Sequence, residues 1–359
     1  MQENIEDKDL SLNNTSKKPR RRLVFFLMAI PVLAILSSIF IVAWWYSSAF
    51  AQAGNISQNE LSSSIKQGLN HDFFQSQMNH NVLILGMDQI GQNRNGSLLT
   101  DTIIVANLSR GGKINLISVP RDLWINSLKT KINALYYYGE KDPHITGEEL
   151  MKKSLEEITG QSISHTITLN LETVRKIIDS IGGVQVDVEM GFVDEKYPKD
   201  DVDPNILPIE LRYETVAFNK GKQEMDGNTA LKFIRSRQSQ NEDENTDISR
   251  SKRQQKIIFS IISKLKSKEI ILNPSVMGAL YKVWQEEVNS SLFLKDLVSL
   301  GKAFATENVS LNQIGIPVKS DTEDGIMYNP PANKYKQWVY EPVDPTWTEF
   351  QEFFEKNLN

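Results

Sequence analysis

Cysteine is absent from this chain of 359 residues, and histidine occurs four times. Without cysteine there is no disulfide scaffold, no thiolate zinc site, no iron–sulfur ligation and no thiol nucleophile. The same absence leaves the redox compartment open. His71, His80, His144 and His165 share no useful spacing, so neither a His-rich metal site nor a Ser-His-Asp set is indicated. A Walker A sequence is missing, and Gly182-Gly183 is a turn signal rather than a dinucleotide loop. Excess basic charge is missing too: the net charge is −5, which argues against nucleic acid as a partner. What is present, 40% hydrophobic and 24% charged residues, is a globular balance with chain enough for a substantial core.

One stretch lacks charge altogether. Residues 23–46, LVFFLMAIPVLAILSSIFIVAWWY, exceed the ~20 residues a spanning helix needs. Trp44, Trp45 and Tyr46 stand at its end, where aromatic rings favour the headgroup level. Lys17, Lys18, Arg20, Arg21 and Arg22 precede it, and residues 47–53 carry no charge. The positive-inside rule therefore predicts a single-pass anchor in the cell membrane, with a disordered cytoplasmic tail over 1–22 and everything after 46 outside. The alternative is a signal peptide cleaved near Ala49-Phe50-Ala51, but its apolar core would be shorter than this run.

Beyond the anchor, residues 47–80 are polar and read as a stalk, with a helix near 59–68. Apolar runs at 81–86, 102–108 and 114–119 read as buried strands, the last two joined by a hairpin at Arg110-Gly111-Gly112. Helices are expected over 148–158 and 171–181, each followed by a strand, at 164–169 and 184–188. That alternation predicts an α/β sheet covered by helices. Further helices are expected over 228–235, 249–266, 274–287 and 291–306, then a strand near 309–316 and an amphipathic helix near 346–357. One domain over 81–320 and a C-terminal extension over 321–359 packed on it account for the outer part.

Charged groups at strand ends and turns are better candidates for chemistry than charges on helix faces. Asp88 follows the first strand and Asp101 precedes the second. They are either a pair of carboxylates for a hard cation such as Mg²⁺, or a turn and a capping aspartate. Arg121 follows Pro120 at a strand end, placed to fork onto a phosphate or to pair with Asp122. Arg235, Arg237, Arg250, Lys252 and Arg253 form a basic cluster, either an anion site or a solvated face. Arg250, Arg253 and Gln254 are spaced to share a helix face, with Asp247 near that helix's start and Glu242, Asp243 and Glu244 as local counter-charge.

Taken in order, these elements resemble the LytR-CpsA-Psr family of cell-envelope proteins. The matching segments are Gly86 with Asp88, Thr100-Asp101-Thr102, Ile117 to Asp122, Lys131-Ile132-Asn133-Ala134 and Ile181 to Val184. They continue with Met225-Asp226-Gly227, Phe233 to Arg237, and Asp247 to Arg250 followed by Arg253-Gln254-Gln255. The likeness spans roughly residues 81–266. It implies a central mixed β-sheet flanked by helices, with an apolar pocket for a polyprenyl pyrophosphate lipid. It implies Mg²⁺-dependent transfer of a lipid-linked glycopolymer, a teichoic acid or polysaccharide, to peptidoglycan through a phosphodiester. By motif position, Asp88 and Asp101 would hold the metal. Arg121, Arg235, Arg237, Asp247 and Arg250 would be catalytic, and Lys131, Asn133, Arg253 and Gln254 would bind substrate. Two positions depart from the family: Leu99 stands where an arginine is usual, and Ser249 where glycine is. Hydrolysis of the lipid pyrophosphate, or lipid binding without turnover, are the alternatives.

Overall fold

The structure is a computed structural model that describes residues 37–74, 79–87, 98–199, 202–203, 206–239, 241, 244, 247–305, 309–320, 322–331 and 333–358. The chain divides into two compact units, one ending at Ser48 and the other running from Ala49. In the first, residues 37–48 are helical, and Phe40, Val42, Trp44 and Trp45 are exposed on it. Residues 23–36 of the expected anchor lie outside the described residues. Among the described residues no helix is long and apolar enough to cross a membrane.

The second unit is built on one mixed six-stranded sheet. Its strands are β1 (Asn79–Met87), β2 (Thr100–Ser109), β3 (Lys113–Ser118), β4 (His165–Asn170), β9 (Asn289–Ser290) and β10 (Ser310–Gly315). The spatial order is β9-β4-β1-β2-β3-β10. β1 runs antiparallel to β2 and parallel to β4; β3 runs antiparallel to β2 and parallel to β10. The continuous apolar runs of β1 to β3 follow from this placement, because both faces of the sheet are covered. Leu83, Leu85, Ile103, Val105 and Ile117 enter one core, against Met151, Leu155 and Ile158 of a helix over Gly147–Thr159 and Phe350, Phe354 and Leu358 of the C-terminal helix. Val82, Ile104, Ala106 and Leu116 enter the core on the opposite face. Each of the larger side chains among them contributes about 1.5–3 kcal/mol on burial. The β2–β3 hairpin turns where expected, and Gly111 and Gly112 take φ of 105° and 79°, which a side chain would strain.

A smaller lobe has its own core. It joins β5 (Val184–Val188) to β8 (Gly221–Met225), and β6 (Phe192–Pro198) to β7 (Tyr213–Phe218), both antiparallel. Helices α1 (Gly227–Arg235) and α2 (Asp247–Leu265) pack on it.

Residues 49–74 of the segment read as a stalk belong to the folded unit. Phe73 seats this segment: its ring lies 4.7 Å from the His80 imidazole and 5.6 Å from that of His165. His80 Nε2 is buried without a hydrogen-bond partner among the described residues. Burial pushes the pKa of both imidazoles below the usual value of 6.5, and for His80 the neighbouring His165 adds to the effect. A folded-state histidine with a lowered pKa resists the proton that the unfolded chain accepts. Stability is therefore complete above the unfolded value and is lost as pH falls through about 6.5 toward the folded values. The expected result is a lower Tm at pH 5.5 than at pH 7.5, with the slope reduced in His80→Phe. Equal slopes in the two chains would sink this assignment.

Candidate active site

The parallel strands β1, β3, β4 and β10 end at the same edge of the sheet, and ligand crevices in α/β folds lie outside such carboxyl ends. Here Asp101 leaves the ladder. Gly86 pairs with Thr102 and Met87 with Thr100, so Asp101 is the extra residue of a bulge and its carboxylate is aimed off the sheet. Gly86 is needed beside it, because a Cβ there would stand 2.9 Å from Thr102 Cβ.

Pro120 ends β3, and the chain turns so that Leu123 N donates to Pro120 O at 3.0 Å. This turn sends Arg121 back toward Asp101. Arg121 Nη1 donates to Asp101 Oδ1 at 2.9 Å, and its Nε lies 3.4 Å from Asp122 Oδ2. The pair with Asp122 is thus present, and the same guanidinium also reaches the bulged carboxylate of Asp101. Lys131 Nζ donates to Asp122 Oδ1 at 2.6 Å, which brings a second cation beside the first. Arg237 Nη2 lies 3.4 Å from Asp101 Oδ2, so each oxygen of Asp101 meets a guanidinium.

The first turns of α2 complete the arrangement. Arg250 is 5% exposed and lines the same cavity as Asp101 and Arg121. Gln254 follows one turn later, and its Oε1 accepts from Thr102 Oγ1 at 3.0 Å. That bond turns the amide so that Nε2 remains a donor. Gln255, which the sequence reading did not single out as a site residue, donates to Ser118 Oγ and lines the cavity too.

The cavity has a volume of about 350 Å³. Its mouth is polar, with Asp101, Arg121, Arg250 and Gln254, and its wall is apolar, with Ile103, Val119, Ile316, Val318 and Met327. Met327 and Tyr340 come from the C-terminal segment. That segment is tied by Glu341, which accepts from Tyr328 OH and Lys334 Nζ at 2.7 Å each and from Tyr335 OH. A small cleft shares Asp101, Arg250 and Gln254 with the cavity and adds Arg235 and Arg237. Beyond those two arginines a polar hollow of about 190 Å³ is lined by Lys196, Pro198 and Gln238. Four guanidinium groups thus line the adjoining clefts around Asp101, with Asp122 as a second carboxylate of the cavity, between an apolar wall and a polar hollow.

Arg253 and Asn133, expected to bind substrate, do not line the cavity. Arg253 is 3% exposed and faces away from the cavity. Its guanidinium donates to Glu244 Oε2 and Ser236 O, each at 2.6 Å, and lies 4.9 Å over the Phe192 ring. Burial lowers its pKa, and the Glu244 carboxylate works against that. Helical geometry gives the reason: at about 100° per residue, position 253 lies about 100° around the helix from 254. Asn133 is buried in a 3-10 turn, where its N–H donates to Arg121 O at 3.2 Å and its carbonyl accepts from Thr100 Oγ1 at 3.3 Å. It supports the turn that carries Arg121 rather than touching the cavity. Asp88, Glu242 and Asp243 lie outside the described residues, as does the side chain of Asp247. Leu99 is half-buried just before β2, and Ser249 is buried in α2.

Comparison with known proteins agrees with this architecture. The chain is 27% identical over 253 residues to the polyisoprenyl-teichoic acid–peptidoglycan teichoic acid transferase TagU of Oceanobacillus iheyensis, covering 69% of this chain and 70% of that one. The fold matches the crystal structure of B. subtilis TagV with a TM-score of 0.54 and 20% identity, over 78% of this chain and 97% of that one. It matches TagT bound to LIIa-WTA with the same TM-score and identity, over 80% and 93%. The sequence profile of the LytR_cpsA_psr family matches residues 39–342. With more than half its length inside that match, and with the central mixed sheet in place, the chain belongs to the LytR_cpsA_psr family.

Proposed function

We propose that this protein is a membrane-anchored phosphotransferase that moves a glycopolymer from a polyprenyl pyrophosphate carrier to peptidoglycan, joining the two by a phosphodiester. The observation that carries the reading is one cavity with an arginine-lined mouth and an apolar wall. An amphiphile with a phosphate head and a hydrocarbon tail matches it, each buried CH₂ contributing ~0.8 kcal/mol. The named activity of the TagU relative is of the same class.

A sugar hydroxyl of the acceptor attacks the phosphorus nearer the glycopolymer. A new P–O bond forms, the bond to the bridging oxygen breaks, and polyprenyl monophosphate leaves. Negative charge spreads over the phosphate oxygens, so catalysis is mainly positioning and neutralisation. Arg121 and Arg250, beside the apolar wall, hold the departing phosphate. Arg235 and Arg237 hold the phosphate that is transferred, and Lys131 and Gln254 add donors. The polar hollow beyond them gives the acceptor an approach away from the lipid. Asp247, three residues before Arg250, is the proposed acceptor of the hydroxyl proton.

Magnesium fits this site as a partner of substrate. Among the described residues no group of three or more His, Asp or Glu could cage a metal ion. Asp101 offers one bulged carboxylate at the cavity mouth, and Mg²⁺ commonly takes one or two carboxylates with phosphate oxygens and water. Asp101, with Asp88 by its place in the motif, would hold the ion. When bound, it would neutralise charge on the phosphates.

The expected location is the cell membrane, with residues 1–22 cytoplasmic, 23–46 spanning and the folded unit outside. The basic cluster before residue 23 and the exposed apolar side chains at 40–45 support this. The test uses the full chain in detergent with a polyprenyl-pyrophosphate-linked sugar and peptidoglycan oligosaccharide, with Mg²⁺ or chelator, and products read by mass spectrometry. A phosphodiester adduct that needs acceptor and Mg²⁺ is expected. Phosphate release without adduct would make the protein a hydrolase instead, and binding without product a lipid-binding protein.

A further inference from the structure

Arg235 closes α1, and Arg237 lies in the segment that follows, which is not itself in a regular element. Something must set its backbone, because an arginine on a loose segment loses its aim. Strand β6 supplies that hold. Its register against β7 shifts between Asp194, which faces Val216, and Tyr197, which faces Glu214. β6 therefore carries one residue more than β7 there. In a regular strand, residues three apart point to opposite faces. The bulge turns both inward: Asp194 and Tyr197 are each 1% exposed, while Glu195 and Lys196 between them are exposed.

Both inward side chains meet the arginine segment. Asp194 Oδ1 accepts from Lys196 N at 3.0 Å and closes the bulge. Its Oδ2 accepts from Arg237 N at 3.0 Å and Gln238 N at 3.2 Å. Tyr197 OH accepts from Arg235 Nη1 at 2.8 Å, and that guanidinium lies 5.4 Å over the ring. Arg237 is thus gripped at both ends by bulged aspartates: its backbone by Asp194 of β6, its side chain by Asp101 of β2.

We propose that Asp194 and Tyr197 are positioning residues, which aim Arg237 and Arg235 at the transferred phosphate through the β6 bulge. The proposal rests on the reading of those arginines as pyrophosphate ligands. A buried carboxylate is costly to keep, and three converging N–H donors are what offset it here. An asparagine of the same shape offers one acceptor oxygen in place of two and turns an amide N–H toward a donor.

The experiment measures the affinity of the full chain for geranylgeranyl pyrophosphate in wild type, Asp194→Asn, Arg237→Ala and the double variant, with Tm recorded for each. Asp194→Asn is expected to weaken binding roughly tenfold or more, and the double variant to bind no worse than Arg237→Ala alone. A lower Tm with unchanged affinity, or losses that simply add, would overturn the proposal. Should Asp194→Asn fail to fold, Tyr197→Phe against Arg235→Ala forms the same cycle and is judged in the same way. A crystal structure of Asp194→Asn separates this inference from the reading it rests on. If wild type shows no affinity for the probe, the reading of the site fails. Arg237 still on Asp101 in the variant overturns the positioning role itself.

Discussion

Replacing Arg121 by alanine is expected to lower turnover by about three orders of magnitude. Removing one preorganised donor from a charge-stabilising site costs about 10²–10³, and an arginine facing a transferring phosphoryl group up to about 10⁵. Arg121 belongs at the upper end of the single-donor range because two carboxylates hold it before substrate arrives. Its Nη1 is on Asp101 and its Nε beside Asp122, so the guanidinium plane is set by the protein and little ordering is left for the reaction. Asp122 also keeps Lys131 at 2.6 Å, so the lysine stays when the arginine is lost, but an ammonium is a point charge and cannot fork. Arg121→Lys is accordingly expected to recover a minor part of the activity. The measurement is kcat on a polyprenyl-pyrophosphate-linked sugar with saturating acceptor. An alanine variant that retained more than about a tenth of the wild-type rate would remove Arg121 from the reacting centre. The pair with Asp122 would then be its whole role.

The sheet was legible because its chemistry is local. Runs such as NVLILG and TIIVANL are buried on both faces, and a doubly covered strand has no polar face to hide the signal. Arg250 and Gln254 were legible because four residues bring two side chains to one side of a helix. Arg253 was misplaced by the same rule, since spacing fixes an angle between side chains but not which neighbour each one meets. Asn133 sits inside a matching segment, yet its part is to hold a turn through backbone bonds. Residues 49–74 read as a stalk because they are polar, while the contacts that seat them come from Phe73 and Phe74 meeting β1 and a distant helix. Asp194 and Tyr197 gave no signal, because their shared face exists only through a bulge that the strand pattern does not announce. Tyr340 and Met327 reach the cavity from the far end of the chain, which no local reading could place there.

Asp101 is expected to show opposite effects on binding and on turnover. In the structure its two oxygens face Arg121 at 2.9 Å and Arg237 at 3.4 Å, so the carboxylate occupies the cations that a pyrophosphate needs. Asp101→Asn removes that competitor and its repulsion of phosphate with little change of shape. Without metal, geranylgeranyl pyrophosphate should then bind more tightly, by roughly fivefold if the pair is worth about 1 kcal/mol as a partly exposed ion pair. With Mg²⁺ the order should reverse. If Asp101 held the ion, its carboxylate would no longer compete for Arg121 and Arg237, and both guanidinium groups would be available to the phosphates. The asparagine cannot make that exchange, so its affinity should respond little to Mg²⁺ and its turnover should fall by about 10²-fold or more. Calorimetric titration in chelator and in Mg²⁺, beside product formation under the same two conditions, reads both effects. Weaker binding by Asp101→Asn in chelator would mean that the carboxylate serves the lipid by holding the arginines in place, and the exchange would be excluded. Tighter binding in chelator with turnover still raised by Mg²⁺ to the wild-type level would place the metal on other residues.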